Sequence, residues 1–385
     1  MNKRKICVVI TARPSYSRIK TALKAIDDHK DLELQLILAG SALLDRYGNA
    51  VKVVEKDGFQ VTEKIYTVLE GESPMSMAKT TGISIMELAT AFHNLKPDIV
   101  VTIADRFETI ATSIAAAYQN IPLAHIQGGE VTGNIDEKVR HANTKLADIH
   151  LVSTEEARER VIRMGENPTS VIHTGCPSID LATDVMTSPE LDFDPLIKYG
   201  GVGQNIKWHN GYIVVMQHPV TTEYTVAKEH IIETLKAVVK IGLPTFWFWP
   251  NVDAGSDGTS SGIRQYRENH SIDQIHFFKN MEPSDFLRLI KNAKCLIGNS
   301  SVGIRESSIL GVPVVNIGTR QTNRQRGANV IDCGYDAIEI QSAIQQQLQH
   351  GPYEPDFIYG DGNAGKRIAE TLATCKLNFH KTIVY

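Results

Sequence analysis

Short apolar runs that do not alternate with polar residues recur along the whole chain. Ile6 to Ile10, Ile99 to Ile103, Tyr212 to Met216, Phe246 to Trp249 and Ile275 to Phe278 are of this kind, and each is released into small and polar residues. A strand apolar on both faces must be covered on both, so these runs predict α/β architecture, parallel sheets with helices on either side. At 385 residues the chain is too long for one ordinary core, and two such domains are expected. The best boundary lies in residues 186–209, where Thr187-Ser-Pro189, Asp192-Phe-Asp-Pro195 and Tyr199-Gly-Gly-Val-Gly203 interrupt the periodicity. The expected division is 1–185 and 186–364, with a final helical segment in 365–385 that can pack back on the first domain.

The stretch from Lys294 to Arg320 shows the pattern most fully. It reads as a buried strand (Cys295 to Ile297), a turn of small polar residues (Gly298 to Gly303), a helix ending at Gly311 and a second strand (Val312 to Ile317). Gly298 and Gly303 allow backbone angles that other residues resist, Ser300 or Ser301 can cap the helix, and Gly311 occupies a left-handed C-cap position. A helix opening on Ser-Ser directs amides, hydroxyls and its positive dipole end at one point, which suits a phosphate. Glu306 is placed to accept from ribose hydroxyls, and Arg320 to neutralise a diphosphate. Any well-capped strand-helix-strand unit explains the same residues without a ligand.

The net charge of −4 gives no reason to expect nucleic acid or an anionic membrane as partner. The five cysteines are scattered, with no Cys-x-x-Cys pair and no zinc-like histidine spacing, so free thiols and no metal or other cofactor are expected. Lys3-Arg4-Lys5 leads straight into a short strand, and no run reaches the roughly 20 apolar residues of a membrane helix. A cytoplasmic protein is the expectation.

In open parallel sheets ligands bind at the carboxyl ends of strands. Arg13 and Ser17 follow the first strand and are candidate anion contacts; alternatively Arg13 is solvated and Ser15 or Ser17 caps the next helix. Residues 58–82 are uneven and read as a long excursion with one strand near Lys64, and Ser84 to Leu95 as a helix. After the strand Ile99 to Ile103 come Asp105 and Arg106. Asp105 with Glu108 forms a capping pattern, which by itself accounts for Asp105; the functional alternative gives Asp105 a proton transfer and Arg106 the leaving group. The next strand carries His125, read as a core histidine, and ends in Gln127-Gly-Gly-Glu130-Val-Thr-Gly133, with Asp136, Arg140 and His141 close behind. So many titratable groups in one glycine-rich turn are hard to justify by folding alone. In the second half, His218 tips the turn after Tyr212 to Met216. Cations and hydroxyls for a diphosphate, Glu306 for a ribose and acids for proton transfer make a nucleotide sugar in an interdomain cleft the fitting ligand.

These segments carry a family resemblance. Arg13 to Ser17, Asp105-Arg106, the Gly-Gly-Glu-Val-Thr-Gly loop with Asp136 and Arg140-His141, Gly175-Cys-Pro-Ser178, Gln217-His-Pro-Val-Thr-Thr222, Pro250-Asn-x-Asp-x-Gly255, Gly298-Asn-Ser-Ser-x-Gly-x-Arg-Glu306, Gly318-Thr-Arg-Gln321 and Tyr359-Gly-Asp-Gly-Asn-Ala364 resemble the UDP-N-acetylglucosamine 2-epimerases, above all the hydrolysing branch of sialic and legionaminic acid biosynthesis. The resemblance implies a glycosyltransferase-B-like pair of Rossmann-like domains with a ligand cleft between them, and a homo-oligomer, dimer or tetramer. It implies that Arg13, Ser17, Arg106, His218, Ser300, Ser301, Glu306 and Arg320 hold UDP, with Arg140 and His141 also near substrate, and that Asp105 and Asp136 serve proton transfers.

Three departures bear on that reading. Many members have His-Gly where this chain has Ile103-Ala104, Asp where it has Ser15, and Glu where it has Gln127. A glutamine is no general base, so Glu130 or Asp136 takes that role, or the substrate differs. UDP-N-acetylglucosamine and UDP-N,N'-diacetylbacillosamine, a 2,4-diacetamido-6-deoxy sugar, are both expected substrates. The implied reaction expels UDP to give a glycal, to which water adds with inverted C2. The alternatives are a non-hydrolysing epimerase, a glycosyltransferase of the same fold, and a catalytically impaired nucleotide-sugar-binding protein.

Overall fold

The computed structural model describes residues 3–45, 50–69, 73–131, 135–250, 256–377 and 381–384. Compactness divides them into two units. One comprises the chain up to Val131, Ile135–Leu181 and the part from Tyr359 onward; the other comprises Ala182–Ile358.

The first unit is built on seven parallel strands: β1 (Arg4–Ile10), β2 (Leu32–Ala39), β3 (Glu63–Ile65), β4 (Ile99–Ile103), β5 (Leu123–Ile126), β6 (Ile149–Val152) and β7 (Val171–His173). Their order is β3-β2-β1-β4-β5-β6-β7, so the direction of winding reverses between β1 and β4. Such a reversal leaves a crevice at the strand ends, because the connections leave it in opposite directions. The apolar run of β4 is buried throughout, as a strand covered on both faces must be. Helix Arg13–Asp27 lays Ile19, Leu23 and Ile26 into the core, where Ile368, Ala369 and Leu372 of helix Ala364–Thr374 join them. That second helix receives its N-cap from a distant residue: Asp180 accepts the Ala364 and Gly365 amides at 2.9 and 2.7 Å.

The second unit has strands β8 (Val202–Gly203), β9 (Ile213–Met216), β10 (Thr245–Phe248), β11 (Ile275–Phe278), β12 (Leu296–Gly298), β13 (Val314–Ile317) and β14 (Val330–Cys333) in the order β14-β13-β12-β9-β10-β11-β8. All pairings are parallel except β8 with β11, which is an antiparallel edge. Here the winding reverses between β9 and β12. Among the described residues no helix is long and apolar enough to cross a membrane.

Several local expectations are corrected. The helix placed at Ser84 to Leu95 begins at Pro74, because Ser73 and Ser76 close a capping box around a proline already set for the first turn. Gly82, at the end of the uneven stretch 58–82, sits inside that helix. Residues 186–209 are more than a linker: Asp194 caps helix Pro195–Tyr199, β8 extends the second sheet, and Trp208 is buried against Tyr212 and Phe246. Neither Ser15 nor Ser17 caps helix Arg13–Asp27; Ala12 is the N-cap, without a side-chain bond, and Ser17 turns back to the Arg13 carbonyl at 3.5 Å. Gly298 does have positive φ, +129°, with the Met216 backbone where a Cβ would stand. Gly303 is ordinary helix, where a Cβ would stand 3.0 Å from Val314 and press on it.

Candidate active site

The reversal in the first unit brings together the turn after β4 and the helix after β1. Asp105 stands there, its side chain nearly buried, paired with Arg140 and 4.0 Å from Arg18. The capping explanation of Asp105 does not hold. Helix Thr109–Tyr118 starts at Glu108 without a side-chain cap, and the Glu108 carboxylate instead takes Arg106 Nε at 3.3 Å and Ser41 Oγ at 3.4 Å.

Arg140 organises the cluster. It is 1% exposed and sits on helix Ile135–Leu146. One guanidinium nitrogen pairs with Asp105, while the other donates to the Gln127 carbonyl at 2.9 Å and lies 3.8 Å from Glu130. Its described contacts tie two carboxylates to the end of β5. Asp136, one helical turn before Arg140, shares its face by the helix period and is half-buried. His141 points elsewhere, pairing with Glu137 at 3.0 Å on the same helix. Thr132 to Asn134, including Gly133 of the glycine-rich loop, lie outside the described residues.

Backbone strain marks both strand ends. Ala104 after β4 has φ +60° and Gln127 after β5 has φ +67°, the left-handed region in which a Cβ is crowded. His125 holds Ala104 in place. Since the Ala104 carbonyl can only accept, His125 Nε2 donates to it at 3.0 Å, and Asn143 adds a second bond at 3.4 Å. Burial, assisted by the Arg140 charge, pulls the His125 imidazole down to about 3, so it is a neutral core histidine as read from the sequence. Gln127 is fully buried. Its amide nitrogen donates to Cys176 Sγ at 3.1 Å, and that sulfur in turn contacts Ser178 Oγ at 3.1 Å. The Gln127 Oε1 atom has no hydrogen-bond partner among the described residues.

In the second unit the reversal joins the turns after β9 and β12, and Asn299 locks them. Its side chain accepts from the His218 amide at 2.7 Å and donates to the His218 carbonyl at 2.8 Å. Its own carbonyl receives Arg320 Nη1 at 3.1 Å and Gln321 Nε2 at 2.9 Å. His218, Arg320 and the Ser300-Ser301 turn are thereby gathered. Burial and the Arg320 charge hold the His218 imidazole down near 3, so it offers a neutral hydrogen-bonding group, not a second cation. Ser300 is the N-cap, its hydroxyl accepting the Val302 amide at 3.4 Å. The helix expected to run to Gly311 is broken at Arg305 into Ser301–Ile304 and Glu306–Leu310, which reduces the dipole aimed at the turn. Glu306 opens the second piece, mostly buried, its Oε2 without a hydrogen-bond partner among the described residues. Beyond Pro250, the motif ending at Gly255 lies outside the described residues.

Arg18, Glu108 and Asn299 join these clusters without a signal of their own in the sequence. Arg18 follows Ser17, Glu108 reads as a capping residue, and Asn299 lies within Gly298-Asn-Ser-Ser, where nothing local shows that its amide reaches the turn after β9.

Residues 24–373 match the family model described as UDP-N-acetylglucosamine 2-epimerase. The chain is 32% identical to the UDP-N-acetylglucosamine 2-epimerase of Neisseria meningitidis serogroup B over 96% of this chain and 95% of that one. It is 31% identical to the UDP-N,N'-diacetylbacillosamine 2-epimerase (hydrolyzing) of Legionella pneumophila over 97% of each. A crystal structure of the UDP-GlcNAc 2-epimerase from Neisseria meningitidis bound to UDP-GlcNAc shares the glycosyltransferase-B-like fold, with a TM-score of 0.77, 20% identity, and coverage of 96% of this chain and 99% of that one. With two parallel sheets whose polar clusters sit at their points of reversal, and a family match running through nearly all of both, the chain belongs to the UDP-N-acetylglucosamine 2-epimerase family.

Proposed function

We propose that the protein is a hydrolysing 2-epimerase that converts a UDP-2-acetamido sugar to the free manno-configured sugar and UDP. The observation that carries this is the buried set of Asp105, Arg140 and Glu130 at the ends of β4 and β5, two carboxylates held about one guanidinium beside strained backbone. In the proposed sequence a carboxylate takes the C2 proton, the C–H electron pair forms the C1=C2 bond, and the C1–O bond breaks with its electrons leaving on UDP. A proton then returns to C2 on the opposite face while water supplies hydroxyl to C1. Asp105 and Asp136 are assigned the proton transfers, with Glu130 as the further acid. Gln127 has no proton to take or give at ordinary pH and serves as a fixed neutral neighbour. Arg13, Ser17, Arg106, His218, Ser300, Ser301 and Arg320 are assigned to UDP, Glu306 to its ribose, and the leaving diphosphate is stabilised by the arginines and hydroxyls.

The hydrolysing assignment draws on the Legionella relative and on a second hydrolysing relative, from Campylobacter jejuni, 31% identical over 86% of this chain. Because Gln127 departs from the common glutamate, UDP-N,N'-diacetylbacillosamine stands beside UDP-N-acetylglucosamine as substrate. The resulting sugar fits nonulosonic acid biosynthesis, and the relative named polysialic acid biosynthesis protein P7, from Escherichia coli, supports that context. A non-hydrolysing epimerase is the second reading; the name of the Neisseria relative, UDP-N-acetylglucosamine 2-epimerase, specifies neither outcome. The test is proton NMR in deuterated water with each nucleotide sugar. Free manno-sugar deuterated at C2, together with UDP, is the expected result; epimerised sugar still joined to UDP selects the second reading, and intact substrate rejects both.

A further inference from the structure

A buried charged cluster in the first unit lies outside the groups assigned above. Glu166 is almost fully buried, and its carboxylate takes Lys145 Nζ at 2.5 Å, His150 Nε2 at 3.0 Å and Lys381 Nζ at 2.6 Å. Lys381 comes from the described segment 381–384, which also docks through the Val384 amide on the Gly165 carbonyl at 3.0 Å. Besides Glu166, the Lys381 ammonium donates to the Thr144 carbonyl at 3.2 Å and to that of Ala147. These carbonyls belong to the end of helix Ile135–Leu146, where unpaired acceptors and the negative end of the dipole favour a cation.

That end of the helix is tied to the carboxylate cluster. Asp136, Arg140, Asn143 and Thr144 share one face by the helical period. Thr144 Oγ1 donates to the Arg140 carbonyl at 3.1 Å and touches His125 Nδ1 at 3.1 Å, while Asn143 bonds the Ala104 carbonyl, adjacent to Asp105. The axial position of the last turn therefore sets where Arg140 meets Asp105 and Glu130. We propose that Lys381 is a positioning residue for the reaction, acting through the end of helix Ile135–Leu146 on the Arg140–Asp105 pair. Glu166 and Asp148 both act on the Lys381 ammonium, while burial lowers His150 so that its imidazole adds no further charge; beyond that pairing the ammonium reaches the Thr144 and Ala147 carbonyls at the helix end.

The proposal rests on the assignment of Asp105 to catalysis, and the experiment separates the two. K381M, K381R and D105N are compared for kcat and KM on the nucleotide sugar that the wild type turns over, for UDP affinity by calorimetry, and for hydrogen exchange in residues 140–147. Expected for K381M is a fall in kcat of about tenfold with KM and UDP affinity within twofold, faster exchange in 140–147, and recovery of at least half the activity in K381R. Inactive D105N with K381M within twofold of wild-type kcat overturns the positioning role and leaves the functional reading standing. Active D105N removes the assignment of Asp105 to catalysis and the proposal with it, while the wild type's turnover keeps the functional reading. If K381M loses its thermal transition at the assay temperature, K381R and K381Q decide: equal loss of kcat, KM and UDP affinity in both means a purely structural lysine and overturns the proposal.

Discussion

Replacing Arg140 by methionine keeps roughly the volume of its stem and removes the charge on which the first unit's cluster is built. The guanidinium is 1% exposed and bonds Asp105, the Gln127 carbonyl and, at longer range, Glu130. Removing one partner of a buried pair costs about 3–5 kcal/mol, because the remaining carboxylate is left in a poorly solvated place. Orphaning the Gln127 carbonyl adds about 1–3 kcal/mol, offset in part if water enters. The two together come to about 4–8 kcal/mol, with the lower end expected where water enters, so a loss of at least about 4 kcal/mol, close to a thousandfold in an opening equilibrium, is expected. Because two units can unfold separately, a single denaturation midpoint would mix them. Native-state hydrogen exchange of the amides in helix Ile135–Leu146 reports the opening of its own neighbourhood. The double variant R140M/E130Q tests the cause. If the loss comes from like charges left facing each other, E130Q recovers on the order of 1 kcal/mol or more in the R140M background while destabilising the wild type. A fall below about 1 kcal/mol in R140M, or strict additivity with E130Q, refutes the view that this guanidinium holds the cluster together.

Ala104→Gly relieves a residue at φ +60°; the left-handed penalty of about 1–2 kcal/mol is opposed by about 0.5–1 kcal/mol of added unfolded-state freedom, so exchange protection near Ala104 should hold or rise slightly, and a clear loss contradicts the strain. Asn299→Ala removes two buried bonds to His218, each worth about 0.5–1.5 kcal/mol, and should weaken UDP binding about tenfold in calorimetry while leaving D105N-type chemistry defects unchanged in character; unaltered affinity removes Asn299 from the binding turn. His125 and His218 are held near 3 in the fold against about 6.5 unfolded, so below 6.5 the unfolded chain binds more protons and stability falls with acid; above about pH 7.5 their contribution is flat. Each should cost about 2 kcal/mol between pH 8 and pH 5, and H125Q should lose its share of that slope in denaturation at the two pH values; an unchanged slope shows that His125 is not held neutral.

What the sequence made legible is what neighbours along the chain decide. Apolar runs located the strands because burial on both faces leaves no room for alternation, and the polar ends of those strands located His218, Asp105 and Gln127. Two kinds of information were not local. Helix beginnings depended on which of several candidate caps the tertiary structure uses, so Asp105 and Glu108 looked like a capping box although their carboxylates turn to Arg140 and Arg106. Buried polar partners depended on strand order, which puts Asn299 beside His218 across 81 positions and Arg140 beside Asp105 across 35. The two reversals are held by different chemistry. The first unit uses a buried guanidinium between carboxylates, whose strength depends on charge and exclusion of water; the second uses a neutral amide that bonds both the N–H and the carbonyl of His218. Losing the amide loosens the link between the turns after β9 and β12, whereas losing the guanidinium leaves charge behind. The first unit is therefore where a conservative-looking substitution such as R140K does the greater harm, since one ammonium cannot reproduce the planar fork that serves Asp105 and Gln127 together.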